Sequence, residues 1–165
     1  MVCIDISTGL IIGIVSTFIL LLWRISRPHI AVIGLIEGTQ HFRNIQRHHV
    51  LTSSKLLSMR IDENLNFLNA HIFKGFLINA VSQHIDLEHV VINCSSISSI
   101  DLSAVEMLED VNAELNKLNI KLHLSEIKGP VMDKLQHSKL LKHLSGKIYL
   151  THFQAMQQLS PEVFK

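Results

Sequence analysis

The chain of 165 residues has few cysteines and almost no net charge. It therefore lacks the residues that disulfide-rich folds and strongly charged binding proteins depend on. It contains two cysteines, Cys3 at the very start and Cys94 in a mid-chain apolar segment, so we expect no structural disulfide. The formal net charge is only +1, which excludes a strong overall attraction to nucleic acid. The scarcity of cysteine is consistent with a domain that works in a reducing cytoplasm.

Motifs of catalysis and cofactor binding are also missing from the sequence. It has no Walker-type glycine loop, and its eleven histidines show neither HExxH pairing nor zinc-type spacing. The adjacent pair His48 and His49 points apart on either a strand or a helix. No paired carboxylates and no nucleophile–base pair stand out. We therefore expect no enzyme, no metal site and no cofactor.

What the sequence does have is a long apolar segment near its N-terminus. Residues 4–23 would form a helix of ~30 Å at ~1.5 Å per residue, about one hydrocarbon core. Asp5 is the one charge and lies at the outer end, whereas Trp23 and Arg24 are typical of an interface anchor. We predict one transmembrane helix with its juxtamembrane segment at residues 1–28. The arginines that follow it predict a cytoplasmic domain, at residues 29–165, on the inner or plasma membrane.

Two other interpretations of this segment remain open, a signal peptide and a buried core helix. A signal peptide would have Lys or Arg before the apolar run and a small-residue cleavage site after it, whereas here the positive charge follows. Gly9 and Gly13 form a G-x-x-x-G pair. The pair either marks packing against other membrane helices or reflects how common small residues are in such helices.

Residues 29–165 predict a domain of alternating strands and helices. Apolar runs and alternation predict strands at residues 29–36, 56–62, 89–94, 120–127 and 147–150, with a continuation of the second at 65–68. Helical periodicity predicts helices at residues 70–84, 102–118, 131–144 and 151–159. Asn69 should cap the first of these helices, and the 89–94 strand should be buried on both faces. The order predicts an α/β sandwich with a mostly parallel central sheet.

Three segments carry a resemblance to a known family. RPHIAVIG and EGTQHFRNIQRHHV, residues 27–34 and 37–50, resemble the joint between the last transmembrane helix and the cytoplasmic STAS domain of SulP-family anion permeases. MRIDENLNFLNA, residues 59–70, resembles the second strand and the start of the following helix in those domains. NCSSISSIDLSAVEMLEDV, residues 93–111, resembles the STAS signature. The resemblance covers essentially the whole chain, with residues 5–23 as the final membrane helix.

The resemblance implies secondary transport of sulfate or related anions, with the STAS domain serving trafficking, assembly and regulation. The permease core that would bind the anion precedes the last helix in that family and is not in this sequence. We therefore expect the chain to work with a permease core in another chain, or to be a truncated remnant. The alternative is a membrane-tethered STAS module of the anti-sigma-factor-antagonist type, which binds a regulatory protein and transports nothing.

The signature segment supplies the candidate residues Asp101, Leu102, Ser103 and Glu106. In antagonist-type STAS proteins a phosphorylated serine follows the aspartate, but here Leu102 follows it and has no hydroxyl. Ser103 and Glu106 have the spacing of a capping box, and phosphorylation of Ser103 at a helix N-terminus is the alternative. The hydroxyls and N–H groups of residues 95–99 either bind a nucleotide weakly or form an ordinary polar loop.

A basic segment follows the apolar run. We expect it to dock on the membrane or on the permease core through Arg27, His41, Arg43, Arg47 and His48. Such residues would contact anionic headgroups or the underside of a core, and local pH could tune that contact through the histidines. An ordinary solvated loop is the alternative.

Overall fold

A computed structural model describes residues 6–164, so that Cys3 and Asp5 lie outside the described part of the chain. Its strands are β1 Ile30–Leu35, β2 Phe42–Asn44, β3 Leu56–Ile61, β4 His89–Asn93, β5 Lys121–Ser125 and β6 Ile148–Tyr149. Its helices are α1 Ile6–Ile25, α2 Ala70–Ser82, α3 Leu102–Lys117, α4 Gly129–Gln136, α5 Leu140–His143 and α6 His152–Leu159, with a 3-10 helix at Pro161–Phe164.

The strands form one mixed sheet in the order β2-β1-β3-β4-β5-β6. Strands β3 to β6 are parallel neighbours, as strand–helix–strand connections require. Strand β1 is antiparallel to both β2 and β3, and the chain reverses between β1 and β2 at a turn containing Gly38 with φ 73°. The predicted α/β class with a mostly parallel central sheet is therefore confirmed.

The core lies on both faces of the sheet. Helices α2 and α3 cover one face, where Val90 and Ile92 of β4 are fully buried. Helix α6 covers the other face, where Val91 packs with residues of β1 and β2. Because successive side chains of a strand point to opposite faces, β4 is buried on both, as its continuous apolar run predicts.

Two predicted elements differ in the structure. The polar segment after β1 contains strand β2, which sequence alternation did not indicate because only three residues pair there with β1. Residues 65–68 form no strand, and Leu65 makes only a single bridge to Ile100.

Two predicted helix features also differ. Asn69 precedes α2, but its side chain donates to Asn64 O and accepts from Asn66 N, so it does not cap the helix. The helix predicted at residues 131–144 is two helices, α4 and α5, because the chain turns at Ser138, whose hydroxyl bonds back to Leu135 O at 2.6 Å.

Helix α1 projects from the domain with no buried residue among those described. It is 20 residues long with a mean hydropathy of 2.2, long and apolar enough to cross a membrane. A core helix would be mostly buried, so α1 is not a core helix of this domain. At its end the guanidinium of Arg27 lies 4.6 Å from the centre of the Trp23 ring, a cation–π contact.

Candidate functional site at the start of helix α3

Asp101 organises the start of α3. It is the N-cap residue, with extended backbone, and its Oδ1 accepts a 2.9 Å hydrogen bond from Ala104 N. Its Oδ2 accepts a second bond, 2.8 Å long, from Phe67 N. One carboxylate therefore fixes both the first turn of α3 and the segment that leads into α2.

The prediction of a capping box at Ser103 and Glu106 is wrong. Because Asp101 is the N-cap, Ser103 already lies in the first turn of α3, and both Ser103 and Glu106 are exposed there. An aspartate is as good a cap as a serine, so the spacing of Ser103 and Glu106 alone could not decide between the two positions.

The loop between β4 and α3 is held by side chains from other parts of the chain. Oδ1 of Asn64 accepts from the backbone N–H of Ser98 at 2.8 Å and of Ser99 at 2.9 Å. Nζ of Lys128 donates to Ser98 Oγ at 2.9 Å, and Nζ of Lys134 donates to Ile100 O at 2.7 Å. Two of the loop's N–H groups are thus already paired, which leaves fewer for a phosphate. The weak nucleotide binding predicted for this loop stays a prediction.

Exposed apolar side chains surround this helix start. Leu102 is 73% exposed and Phe67 is 67% exposed. Beside them is a cavity of about 330 Å³, lined mainly by apolar groups that include Ile100, Leu102 and Val105. Large exposed apolar side chains next to such a cavity are typical of a surface that contacts another protein.

The start of α3 and the end of α1 share one edge of the sheet. Strand β1 begins where β3 ends, since Ile30 is paired with Ile61, and β4 runs parallel to β3. The chain therefore leaves α1 at the edge where the loop of residues 94–101 lies. At this edge Nδ1 of His29 donates to Oδ2 of Asp62 at 2.8 Å, and Arg60 donates to the same carboxylate. Partial burial opposes ionisation, but the hydrogen bonds from Arg60 and His29 hold the pKa of Asp62 below its ordinary value.

The five residues of the predicted docking surface are all exposed, but they are spread along the domain. Arg27 lies beside the end of α1, whereas His41 lies beyond the opposite end of β1, where its carbonyl accepts from Ile36 N. A strand of six residues separates them by ~20 Å at ~3.3 Å per residue. His41 and Arg27 therefore do not form one surface.

The other three docking residues lie on or just after β2. Arg43 is in the strand, and Arg47 and His48 are in the turn that follows, where both N–H groups donate to Asn44 O. Their role in docking stays a prediction.

No sequence pattern pointed to Asn64, Lys128 and Lys134, because they come from segments distant from the loop that they hold. The asparagine-rich stretch before α2 was the one signal, since Asn side chains commonly bond to nearby turns.

Among residues 6–164, no group of His, Cys, Asp and Glu is arranged to hold a metal ion. Burial raises the pKa of the Cys94 thiol to about 12, so this cysteine is not a nucleophile.

The chain is similar to known proteins. The STAS domain family matches residues 47–155. High affinity sulfate transporter 2 of Stylosanthes hamata is 28% identical over 170 residues, which cover 96% of this chain and 26% of that protein. Sulfate transporter 3.2 of Arabidopsis thaliana is 28% identical over 92% of this chain and 25% of its own length. The chain thus spans about a quarter of the length of the curated relatives that it matches.

Solved structures share the fold. The murine Solute Carrier 26 family member A9 anion transporter matches with a TM-score of 0.78 and 14% identity, over 90% of this chain and 25% of its own. The anti-sigma factor antagonist SpoIIAA matches with a TM-score of 0.56 and 14% identity, over 67% of this chain and 93% of its own.

These relatives are transporters and STAS domains rather than enzymes, and the sulfate transporters among them are membrane proteins. The chain belongs to the STAS domain family, and over nearly its whole length it is similar to the part of SulP sulfate transporters that carries this domain.

Proposed function

We propose that this chain is the C-terminal regulatory and assembly portion of a SulP-type secondary transporter for sulfate or related anions. It comprises one membrane-spanning helix, α1, and a cytoplasmic STAS domain that docks on a permease core. Transport requires that core, and the chain itself binds no transported anion in the membrane.

The extent of the similarity is the observation that carries this proposal. The sulfate transporters match 92% or more of the chain, and the unmatched remainder is shorter than the 20-residue helix α1. The antagonist SpoIIAA matches only 67% of it. The similarity to transporters thus extends into the apolar helix, which is what a transporter portion requires and a free antagonist domain does not.

The edge of the sheet shared by the end of α1 and the loop of residues 94–101 supports a docking role. If α1 spans the membrane, this edge is the one nearest to the bilayer and to a core embedded there. The exposed side chains of Leu102 and Phe67 would then contact that core. Arg24 and Arg27, which follow the apolar run, favour a cytoplasmic position for the domain.

Co-purification from native membranes tests the proposal. The tagged full chain should bring down a polytopic permease core, and the double variant Phe67→Ser with Leu102→Ser should bring down much less. Ile85→Ser is the matched control, because Ile85 is 99% exposed and lies outside this surface. The chain alone should give no sulfate uptake in a transport-deficient cell, and uptake by the chain alone would contradict the proposal.

A membrane-tethered STAS interaction module without transport is the second candidate. The exposed apolar side chains at the start of α3 favour it as well, because a soluble regulatory protein could bind the same surface. Recovery of a soluble regulator instead of a polytopic protein in the same experiment would support this candidate.

A further inference from the structure

A second polar cluster lies at the edge of the sheet opposite the loop of residues 94–101. His89 is the first residue of β4 and is paired with Lys121, the first residue of β5. Lys147 directly precedes β6, and the Tyr149 side chain lies on the same wall. Together these residues line a recess of about 250 Å³, closed on one side by Gln158 of α6. None of these residues belongs to the site described above.

The floor of the recess is fixed by a directional chain of hydrogen bonds. Lys147 N donates to Nδ1 of His123 at 2.9 Å, and a backbone N–H can only donate. The ring proton of neutral His123 is therefore on Nε2, which donates to Nδ1 of His89 at 3.2 Å. His89 in turn carries its proton on Nε2. No described residue accepts a bond from that atom, so it is a donor available to a ligand.

The loop that contains Gly146 packs closely against His123. A Cβ on Gly146 would lie 2.6 Å from Nδ1 of His123, so only glycine permits this approach. Ser145 holds the loop from its other side, since its Oγ accepts from Leu122 N at 2.9 Å and donates to Asn112 at 2.8 Å. The recess is therefore preformed, which lowers the cost of binding.

The charge in the recess is positive. Burial is the main cause that lowers the pKa of His123 to about 4, and the neighbouring His89 ring and the charges of Lys121 and Lys147 lower it further. Within residues 6–164 neither Lys121 nor Lys147 forms an ion pair. Glu88, which precedes His89, forms an ion pair with Lys55 at 2.6 Å and does not line the recess. Two lysines beside one recess without a carboxylate leave a positive charge that an anion would neutralise.

We propose that this recess binds a small inorganic oxyanion of the sulfate or phosphate class through Lys121, Lys147 and the Nε2–H of His89. Its volume is below the ~300–1,000 Å³ of sites that hold drug-sized ligands, which favours a small anion over a nucleotide. Its place at the edge away from the end of α1 favours a free anion over a lipid headgroup. The site lies within the STAS domain, so a test of anion binding there does not depend on whether the domain docks on a permease core.

Titration of the full chain in nanodiscs of neutral phosphatidylcholine tests this site. Sodium sulfate, and separately sodium phosphate, is added while chloride keeps the ionic strength constant, and NMR follows the backbone amides of residues 121 and 147 and the ring of His89. Saturable shifts at these positions are expected. Lys121→Gln and Lys147→Gln should each weaken the affinity at least tenfold, with unchanged spectra elsewhere, because both side chains are exposed.

Lys142→Gln is the matched control, since Lys142 is an exposed lysine of α5 outside the recess. It removes the same charge and should leave the affinity unchanged. Absence of saturation with both anions would overturn the proposal, as would an equal loss of affinity in Lys142→Gln, which would indicate general charge attraction. Shifts only in nanodiscs that contain anionic lipid would also overturn it, because the ligand would then be a headgroup.

Discussion

His29 donates a 2.8 Å hydrogen bond to Asp62 and thereby joins the segment that follows α1 to the end of β3. The backbone repeats the connection, since Asp62 N donates to His29 O at 3.0 Å. With Arg60 bound to the same carboxylate, Asp62 is the residue that fixes how the chain passes from α1 into the sheet.

Replacing Asp62 with alanine should weaken the connection between the segment that follows α1 and the end of β3. The change removes the acceptor of three hydrogen bonds, one from His29 and two from Arg60, so we expect a loss of about 1–2 kcal/mol in the free energy of unfolding. Hydrogen exchange of residues 29–33 and 60–62 should become faster. Asp133→Ala is the control, because Asp133 is an exposed carboxylate of α4. Unchanged exchange in Asp62→Ala would show that the backbone pairing suffices alone.

Asp101 and Ser103 offer a direct test of which residue caps α3. Asp101→Ala removes the acceptor for both Ala104 N and Phe67 N, and should cost about 1–3 kcal/mol of stability. Ser103→Ala should change the free energy of unfolding by less than about 0.5 kcal/mol, since the side chain is exposed. Urea unfolding of the two variants measures both. A larger loss in Ser103→Ala than in Asp101→Ala would restore the capping box.

His152 should make the stability of the domain depend on pH. Burial, followed by the charge of Arg60, lowers the pKa of its ring from 6.5 to about 4. Between pH 6.5 and 4 the ring is protonated in the unfolded chain but neutral in the folded one. The free energy of unfolding is therefore highest at neutral pH and falls as the pH drops toward 4. For this fully buried ring the loss is on the order of 3 kcal/mol.

Unfolding measured between pH 7.5 and 4.5 checks this effect. His152→Gln should flatten the dependence in part, because His123 titrates in the same direction and remains. His137→Gln, at an exposed histidine, should leave the slope unchanged. An identical slope in His152→Gln would show that the buried ring is not the cause.

Deletion of residues 1–23 should release a soluble and folded domain. Helix α1 contributes no buried residue to the core, so its loss exposes no apolar surface of the domain. The product should be monodisperse by size exclusion and should unfold cooperatively. An insoluble product would count against the boundary between the apolar helix and the domain.

Sequence patterns could predict the fold because its main elements carry strong periodicity. The continuous apolar run of β4 and the helical spacing of α3 both indicated buried elements, and the structure confirms them. The sequence could not predict β2, because three paired residues leave no periodic signal, nor the break between α4 and α5, because Ser138 is compatible with a helix.

The candidate site was harder to predict than the fold. Asp101 was among the predicted residues, but its bond to Phe67 N connects segments 34 positions apart in sequence, and no local pattern records such a contact. The recess at His89 and His123 depends likewise on the parallel pairing of β4 and β5. Register decides which side chains meet there, and register is a property of the folded sheet.

The two outer strands of the sheet are short, with three residues in β2 and two in β6. A long unpaired strand at the rim of a sheet is a template on which a neighbouring molecule can add a strand of its own. Domains anchored to a bilayer are confined to a thin layer and meet often, so such templates would lead to aggregation. The short outer strands of this sheet limit association by strand addition. Copies at high local concentration should therefore remain separate unless their side-chain surfaces are complementary.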